Sequence, residues 1–418
     1  MQRRTFLQGL GLVVLGGGLL RPSDTGKPYT PYFRQLNTAL QQQGDGIPCC
    51  IVDAEALQRN IQRIKASGVT GRPLRVVAKS LASPELLRTI MQSLPEQRLM
   101  VFHEPQLQQL VHYFPHSTLL LGKPMPVEAV ARFYQQVPPA PTPQITWLID
   151  TQERALQYQQ LAEQLGISLL ISLEIDVGLH RGGLQTPDQL EPLLQLLQPA
   201  TAPLKLDGMM GYDAQVGKLP AWIESSSTSL HKAQKTYAAF QERLYTLAPH
   251  YRHLPLVMNG AGSPTFRLHG PDSPLNEVAA GSAFVKASDF DLASLTDLEP
   301  ACWIASPVLK SWHGLQLPGP QALGRLWRFW DRNRSHTYFI YGGGWRARPE
   351  SPQGLTLNHL YGISTNQCMY NASERTALKV DDYVFLRPTQ SEQVLQEFNQ
   401  LLAWYPSTRQ LLRWSVLA

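Results

Sequence analysis

Leu74-Arg75-Val76-Val77-Ala78-Lys79-Ser80 is a short apolar run that ends in a lysine, followed by a helix-like pattern over Pro84–Gln92 and a second apolar run at Leu99–Phe102. A strand, a helix and a strand in that order are the unit of a parallel sheet. The same alternation extends in both directions. Further strand-like runs are Cys49–Val52, Thr118–Leu121, Ile145–Ile149, Ser168–Ile175, Lys205–Met210 and Leu254–Met258. Helix-like segments between them include Ala54–Lys65, Val127–Gln136, Gln152–Leu165 and Pro187–Leu197. Eight strands with intervening helices predict an α/β fold, a TIM-type (β/α)8 barrel over residues 47–287, and a span of roughly 240 residues is usual for it.

After Phe290 the texture changes. Val308–Trp312, His336–Tyr341 and Tyr383–Leu386 read as short strands between Gly- and Pro-rich turns, with one late helix over Ser391–Trp404. This predicts a C-terminal β-rich domain over 288–418, on which a lead-in of residues 23–46 packs. A chain of 418 residues that is 43% hydrophobic can bury a core of that size. The net charge of +5 is spread without a dense Lys/Arg run, which argues against nucleic acid as a partner and suits a small anionic substrate. The four cysteines form no CxxC, so neither a zinc knuckle nor a thioredoxin-like site is expected. Cys49 and Cys50 read as part of a buried strand. A Cys302–Cys368 disulfide is open to the chain in an oxidising compartment.

The opening, Met1-Gln2-Arg3-Arg4-Thr5-Phe6-Leu7, leads into an uncharged apolar stretch that ends at Leu20. The stretch is shorter than the roughly 20 residues a spanning helix needs, and it has the flanks of a secretion signal. The arginine pair resembles a twin-arginine export signal, placing residues 1–22 as an address and the protein in the periplasm. No clear small-residue cleavage site follows, so the segment could stay as a membrane tether.

In a barrel the reactive groups stand where strands end. Lys79 ends the Leu74–Ala78 run. Apolar surroundings favour the neutral form of a lysine amine, the form that makes Schiff bases, although a lysine reaching for solvent fits the residue equally well. Glu174-Ile-Asp176-Val-Gly178-Leu-His180-Arg181-Gly-Gly183 crowds ionisable groups and glycines at another strand end. Gly211-Tyr212-Asp213 and Asn259-Gly260-Ala-Gly262-Ser-Pro-Thr265 end two more, and Gly281-Ser282 follows Asn276-Glu277-Val278. Gly/Ser/Thr loops late in a barrel are the usual cradle for a phosphate.

Taken in order, Asp53, Asn60, Arg75-x-x-x-Lys79, Glu174-Ile-Asp-Val-Gly, Arg181-x-Gly183, Tyr212, Asn259-Gly-x-Gly262-x-x-Thr265, Glu277 and Gly281-Ser282 resemble the D-threonine aldolase/D-serine dehydratase-like family. That family shares the alanine racemase N-terminal fold, fold type III of the pyridoxal 5'-phosphate (PLP) enzymes. The resemblance covers nearly all of the chain after residue 22. It implies a PLP-binding barrel with a β-rich domain, a homodimer, and a small D-amino acid as substrate. Lys79 becomes the Schiff-base lysine. Arg181 lies near the cofactor's phenolic oxygen, and Tyr212 near the ring or the substrate. Gly260, Gly262, Gly281 and Ser282 hold the phosphate beside Asn259, with Thr265 a further candidate. The activity implied is that of a lyase, an aldolase or a dehydratase. An amino-acid racemase and a non-catalytic PLP-binding protein are the alternatives.

Two departures stand out. Racemases of this fold set an Arg against the pyridine nitrogen two residues before the phosphate-binding glycine, where this chain has Ala279. The aldolases and the eukaryotic-type dehydratases carry a His-x-Cys metal pair after a late proline, where this chain has Gln390 and Glu392 after Pro388. Neither is imidazole or thiolate, so no metal is expected there. Without one, bond breaking at a β-hydroxyl needs a protein base, and His103, after the Leu99–Phe102 strand, and His180 are the candidates. Lys123, after Thr118–Leu121, reads first as a solvated charge. Tyr341-Gly-Gly-Gly-Trp345 and Ser364–Gln367 read either as pocket lining or as turns.

Overall fold

The computed structural model describes residues 22–67, 71–137, 144–197, 201–217, 222–314, 330–359 and 362–417. The chain begins with α1 (Pro31–Gln43), β1 (Cys49–Asp53), α2 (Ala54–Ala66), β2 (Leu74–Val77), α3 (Pro84–Met91), β3 (Arg98–Val101), α4 (Glu104–Tyr113) and β4 (Thr118–Leu121). It continues through α5 (Val127–Gln136), β5 (Gln144–Ile149), α6 (Gln152–Leu165), β6 (Leu169–Glu174), α7 (Leu190–Leu197), β7 (Leu204–Gly211), α8 (Ser226–Leu247), β8 (Val257–Gly260) and β9 (Glu277–Ala280). The remainder is β10 (Cys302–His313), β11 (His336–Tyr341), β12 (Ala347–Ser351), β13 (Thr356–Leu357), β14 (Gln367–Ala372), β15 (Tyr383–Pro388), α9 (Ser391–Gln396), β16 (Gln400–Tyr405) and β17 (Gln410–Ser415).

Strands β2 to β9 close a barrel in chain order, each parallel to its neighbours. Side chains cap the helices that return between them. Asp53 accepts the backbone N–H groups of Glu55 and Ala56 to start α2. Thr151 starts α6, and Gly166, in the left-handed region at φ 64°, ends it. Trp147 of β5 is fully buried, edge-on to Phe133 and Tyr158, with its indole N–H on the Tyr134 hydroxyl.

The barrel is the expected one with one strand exchanged. Cys49–Val52, which its apolar run places in the barrel, lies outside it. β1 runs parallel to β16, with Cys50 opposite Leu401. The eighth barrel strand is Glu277–Ala280, which closes onto β2 with Arg75 opposite Ala279. Its leading glutamate disguises it as a surface segment. Inside the barrel that carboxylate is matched. Arg75 donates to it from Nε (2.5 Å) and Nη2 (2.9 Å), Arg98 from Nη1 (2.5 Å) and Asn259 from Nδ2 (2.7 Å). Arg75 also donates to the Leu99 and Thr118 carbonyls. These partners hold the Glu277 carboxyl below its usual range against the cost of burial.

The late helix is shorter than Ser391–Trp404. It stops at Gln396, and Leu401-Leu402-Ala403-Trp404 form the middle of β16 instead, between β1 and an unanticipated β17. This apolar run of four suits a strand with partners on both sides better than one stripe of a helix. The pairing returns the end of the chain to the barrel's unit. Contacts divide the chain into Cys49–Ile304 with Arg387–Ala418, and the residues up to Pro48 with Ala305–Leu386, rather than at 287/288.

In the second unit β13, β14, β11 and β10 are antiparallel neighbours, and β15 joins β10 to β12. α1 packs there. The Asn37 amide donates to Asp382 and accepts the Tyr383 N–H, and Phe33 lies on Phe385. Gly342 N donates to the Asn366 carbonyl and Cys368 N to the Gly342 carbonyl, so Tyr341–Trp345 and Ser364–Gln367 are turns laced to each other. None of the four cysteines is in a disulfide, so the Cys302–Cys368 bridge does not form, and Cys302 Sγ lies 3.6 Å from Cys50 Sγ. Among the described residues no helix is long and apolar enough to cross a membrane. The Arg3-Arg4 segment lies outside the described residues.

Candidate active site

A pocket opens at the carboxyl ends of the barrel strands. Its floor is Val77, Met100, Met210 and Ala279, one inward residue from each of four strands. Lys79 enters it from a tight 3-10 turn, Ala78–Ser80, just past β2. Its Nζ lies 3.1 Å from Glu392 Oε1 and 4.4 Å from the centre of the Phe102 ring. The Ser80 hydroxyl donates to the same carboxylate oxygen at 3.3 Å. Glu392 comes from the first turn of α9, which β15 delivers to the barrel mouth.

Beyond β6, Asp176 organises the loop. Its carboxylate accepts the backbone N–H groups of Gly178 (2.9 Å) and His180 (3.0 Å) and meets the His180 ring at 2.8 Å. These bonds outweigh its burial and lower its pKa. The loop presents Arg181 to the pocket, its guanidinium 5.1 Å from the Tyr212 ring centre. Burial raises the Tyr212 phenol, with Arg181 opposing. Gly262 lets this ring lie close: a Cβ there would stand 2.6 Å from Tyr212 Cε2. Glu174, at the end of β6, is pushed up to about 7 by burial and then by Asp150, against Arg181.

The two late loops are held from behind. Asp213 is buried and binds the His269 ring at 2.7 Å and the Thr265 hydroxyl at 2.6 Å, while Thr265 Oγ1 accepts the Gly262 N–H. Thr265 therefore positions the loop instead of facing the pocket. The N–H groups of Gly281 and Ala283 both converge on Ser263 Oγ at 3.1 Å, and the Ser282 hydroxyl accepts from Ser391 at 3.0 Å. Gly281 is needed for closeness, since a Cβ there would lie 2.9 Å from Val77. The Ser263 and Ser282 hydroxyls, two close-set glycine loops and a guanidinium around an apolar floor, with a lysine amine at the rim, fit an anionic aromatic cofactor.

Residues 52–289, more than half of the chain, match the family model of the alanine racemase N-terminal domain. The chain belongs to that family. Pyridoxal 5'-phosphate is its cofactor. No curated protein sequence matches the chain. Solved structures share the alanine racemase-type fold at low identity. The D-threonine aldolase of Filomicrobium marinum has a TM-score of 0.69 at 16% identity, over 89% of this chain and 97% of that one. The D-threo-3-hydroxyaspartate dehydratase of Delftia sp. HT23 has 0.66 at 14%, over 88% and 97%. The alanine racemase of Bacillus anthracis with bound L-Ala-P has 0.66 at 13%, over 89% and 98%.

Against this alanine racemase-type frame the residues sort clearly. Lys79, Arg181, Tyr212, Asn259, Gly260, Gly262, Gly281 and Ser282 all line the pocket. Asn259 also turns its amide nitrogen to Glu277. His103 does not join them: it is exposed and starts α4, while its neighbour Phe102 lines the pocket. His180 is exposed, at φ 55°, and committed to Asp176. Gln390 donates to Asp289 at 3.3 Å, so of the Gln390 and Glu392 pair only Glu392 faces the site. Glu392 on Lys79, Ser263 and the Asp213–His269 pair are the additions. Glu392 was visible in the sequence only as a poor metal ligand. His269 carries no local signal, because its partner is 56 residues away.

Proposed function

We propose that the protein is a PLP-dependent lyase that breaks a bond at the β-carbon of a small D-amino acid, by retro-aldol cleavage or dehydration, as a homodimer in the periplasm. The observation that carries the lyase reading is the Glu392 carboxylate beside Lys79 Nζ. When bound, the cofactor supplies an electron sink for charge developing at the substrate's Cα. The chain must then handle protons at two atoms. Lys79 Nζ holds the proton for Cα. Glu392 takes the proton of a β-hydroxyl as the Cα–Cβ bond breaks, or returns one to a departing hydroxyl. For D-threonine the balance is complete. The hydroxyl proton goes to Glu392, acetaldehyde leaves, Lys79 protonates Cα, and glycine remains. Arg181 offers a planar fork for an oxyanion.

Racemisation needs proton donors on both faces of Cα and none at a β-oxygen. A panel of D-amino acids with pyruvate, aldehyde and enantiomer detection separates the readings. Faster appearance of the L-enantiomer than of aldehyde or pyruvate overturns the lyase, and no turnover of any of them leaves a PLP-binding protein. Borohydride treatment of the yellow protein is expected to attach the cofactor irreversibly to Lys79, read by peptide mapping. A label on another residue, or on none, removes Lys79 from its role.

Export is read from Arg3-Arg4. Arg3→Lys with Arg4→Lys keeps the charge and removes both guanidinium forks. Cell fractionation is expected to show the double variant retained in the cytoplasm. Normal periplasmic yield contradicts the twin-arginine route.

A further inference from the structure

Outside the pocket, one end of the β-rich unit gathers three metal-ligating side chains that the reading above does not use. His313 is the last residue of β10, His336 the first of β11, and the two face each other in antiparallel register. Their ring centres are 4.5 Å apart, with planes inclined at 58°. His336 also lies opposite Ala372, the last residue of β14. Two residues on, Glu374 opens the 3-10 turn Glu374–Thr376. The turn is fixed: the Ser373 hydroxyl accepts the Arg375 N–H, and the Thr376 hydroxyl donates to the Ser373 carbonyl. Three adjacent strands thus deliver two imidazoles and a carboxylate to one spot. One ligand atom from each lies within 4.8 Å of the others, the one such cluster among the described residues.

A second observation points to a ligand. His336 Nδ1 is sealed from solvent and has no hydrogen-bond partner among the described residues. A buried ring nitrogen left so costs about 1–3 kcal/mol, and a metal ion removes that cost. Tyr338 stacks near-parallel on the His336 ring at 5.9 Å and limits its tilt.

We propose that His313, His336 and Glu374 form a binding site for a divalent transition ion, zinc by its ligand type, with water in the fourth position. Two histidines and one glutamate are a recognised zinc set, and such nitrogen-rich sites disfavour calcium and magnesium. Tetrahedral coordination at about 2.0–2.1 Å sets ligand atoms on the order of 3.4 Å apart. His313 and Glu374 are exposed and can close that gap by rotation, while His336 is half-buried and anchors the site. An ion there clips the ends of β10 and β11 to the turn after β14. The site is independent of the lyase reading and of Gln390 and Glu392.

The test uses the full-length, PLP-loaded protein stripped with chelator and titrated with zinc alone, against a competing chromophoric chelator. One zinc per chain is expected. His313→Asn and, separately, Glu374→Gln should each weaken binding by roughly 10–100-fold or more. Both positions are exposed, so the variants should keep the visible PLP absorbance and the circular dichroism of the parent. Zinc should also raise the melting temperature of the parent and not of either variant. Parent protein that takes up no zinc, or variants that bind it as tightly as the parent, overturns the proposal. Should one variant fail to fold, the other decides.

Discussion

Replacing Glu392 by Gln is expected to lower cleavage of D-threonine by roughly 10²–10⁴-fold, the usual worth of a positioned acid–base group. The amide keeps the size of the side chain and can still reach Lys79, but it cannot take a proton. On the proposed reading Lys79 handles the α-hydrogen of the substrate, so its exchange in deuterated water should persist in the variant. That split is the diagnostic. If Glu392 serves only to orient or neutralise Lys79, exchange and cleavage fall together. On the proposed reading Glu392 serves in place of a metal, so dialysis of the parent against a chelator is expected to leave its rate unchanged. Loss on chelation with recovery on adding a divalent ion would return Glu392 to the ligand role that its place in the sequence suggests.

A second large effect is expected inside the barrel. Glu277 is fully buried and bound to Arg75, Arg98 and Asn259. Glu277→Ala strands two guanidinium groups and should cost about 3–5 kcal/mol, as removal of one member of a buried ion pair does. The pH dependence follows in sign. The native carboxyl titrates below its unfolded counterpart. Its contribution is therefore complete above the ordinary glutamate range, about 4.3, and drains away as pH falls through the lowered native value. Urea unfolding of the parent should lose stability in that acid window, and Glu277→Ala should lose less. A variant as stable as the parent at neutral pH would show that the network contributes nothing net.

The barrel was legible because its strands are short apolar runs whose periodic partners are local helices. The exchange of Cys49–Val52 for Glu277–Ala280 was not. Both are four-residue runs, and what separates them is the identity of a partner: Leu401 for one, Arg75 for the other. Hydrophobicity ranks the wrong one higher, since a paired interior charge still counts as a charge in the sequence. The site was legible where strand ends carry glycine, lysine and arginine. It was illegible where a distant segment completes it. Glu392 lies more than 300 residues from Lys79, and no local pattern announces that α9 turns it toward the pocket. His103 failed for the reverse reason. Its place after a strand is right, but the chain turns there into α4 and carries the ring outward, leaving Phe102 to face the lysine.

The pairing of β1 with β16 has a consequence for how the protein is made. Cys50 meets Leu401 only after about 350 further residues have left the ribosome, and at 5–20 residues per second that interval is roughly 20–70 s. Over that interval β1, an apolar strand carrying two thiols, has one edge unpaired, since only β10 can flank it before β16 emerges. A chain stalled or truncated before residue 400 leaves one edge of that strand bare, with β10 alone beside it, so β16 is the strand that shields the second edge from aggregation.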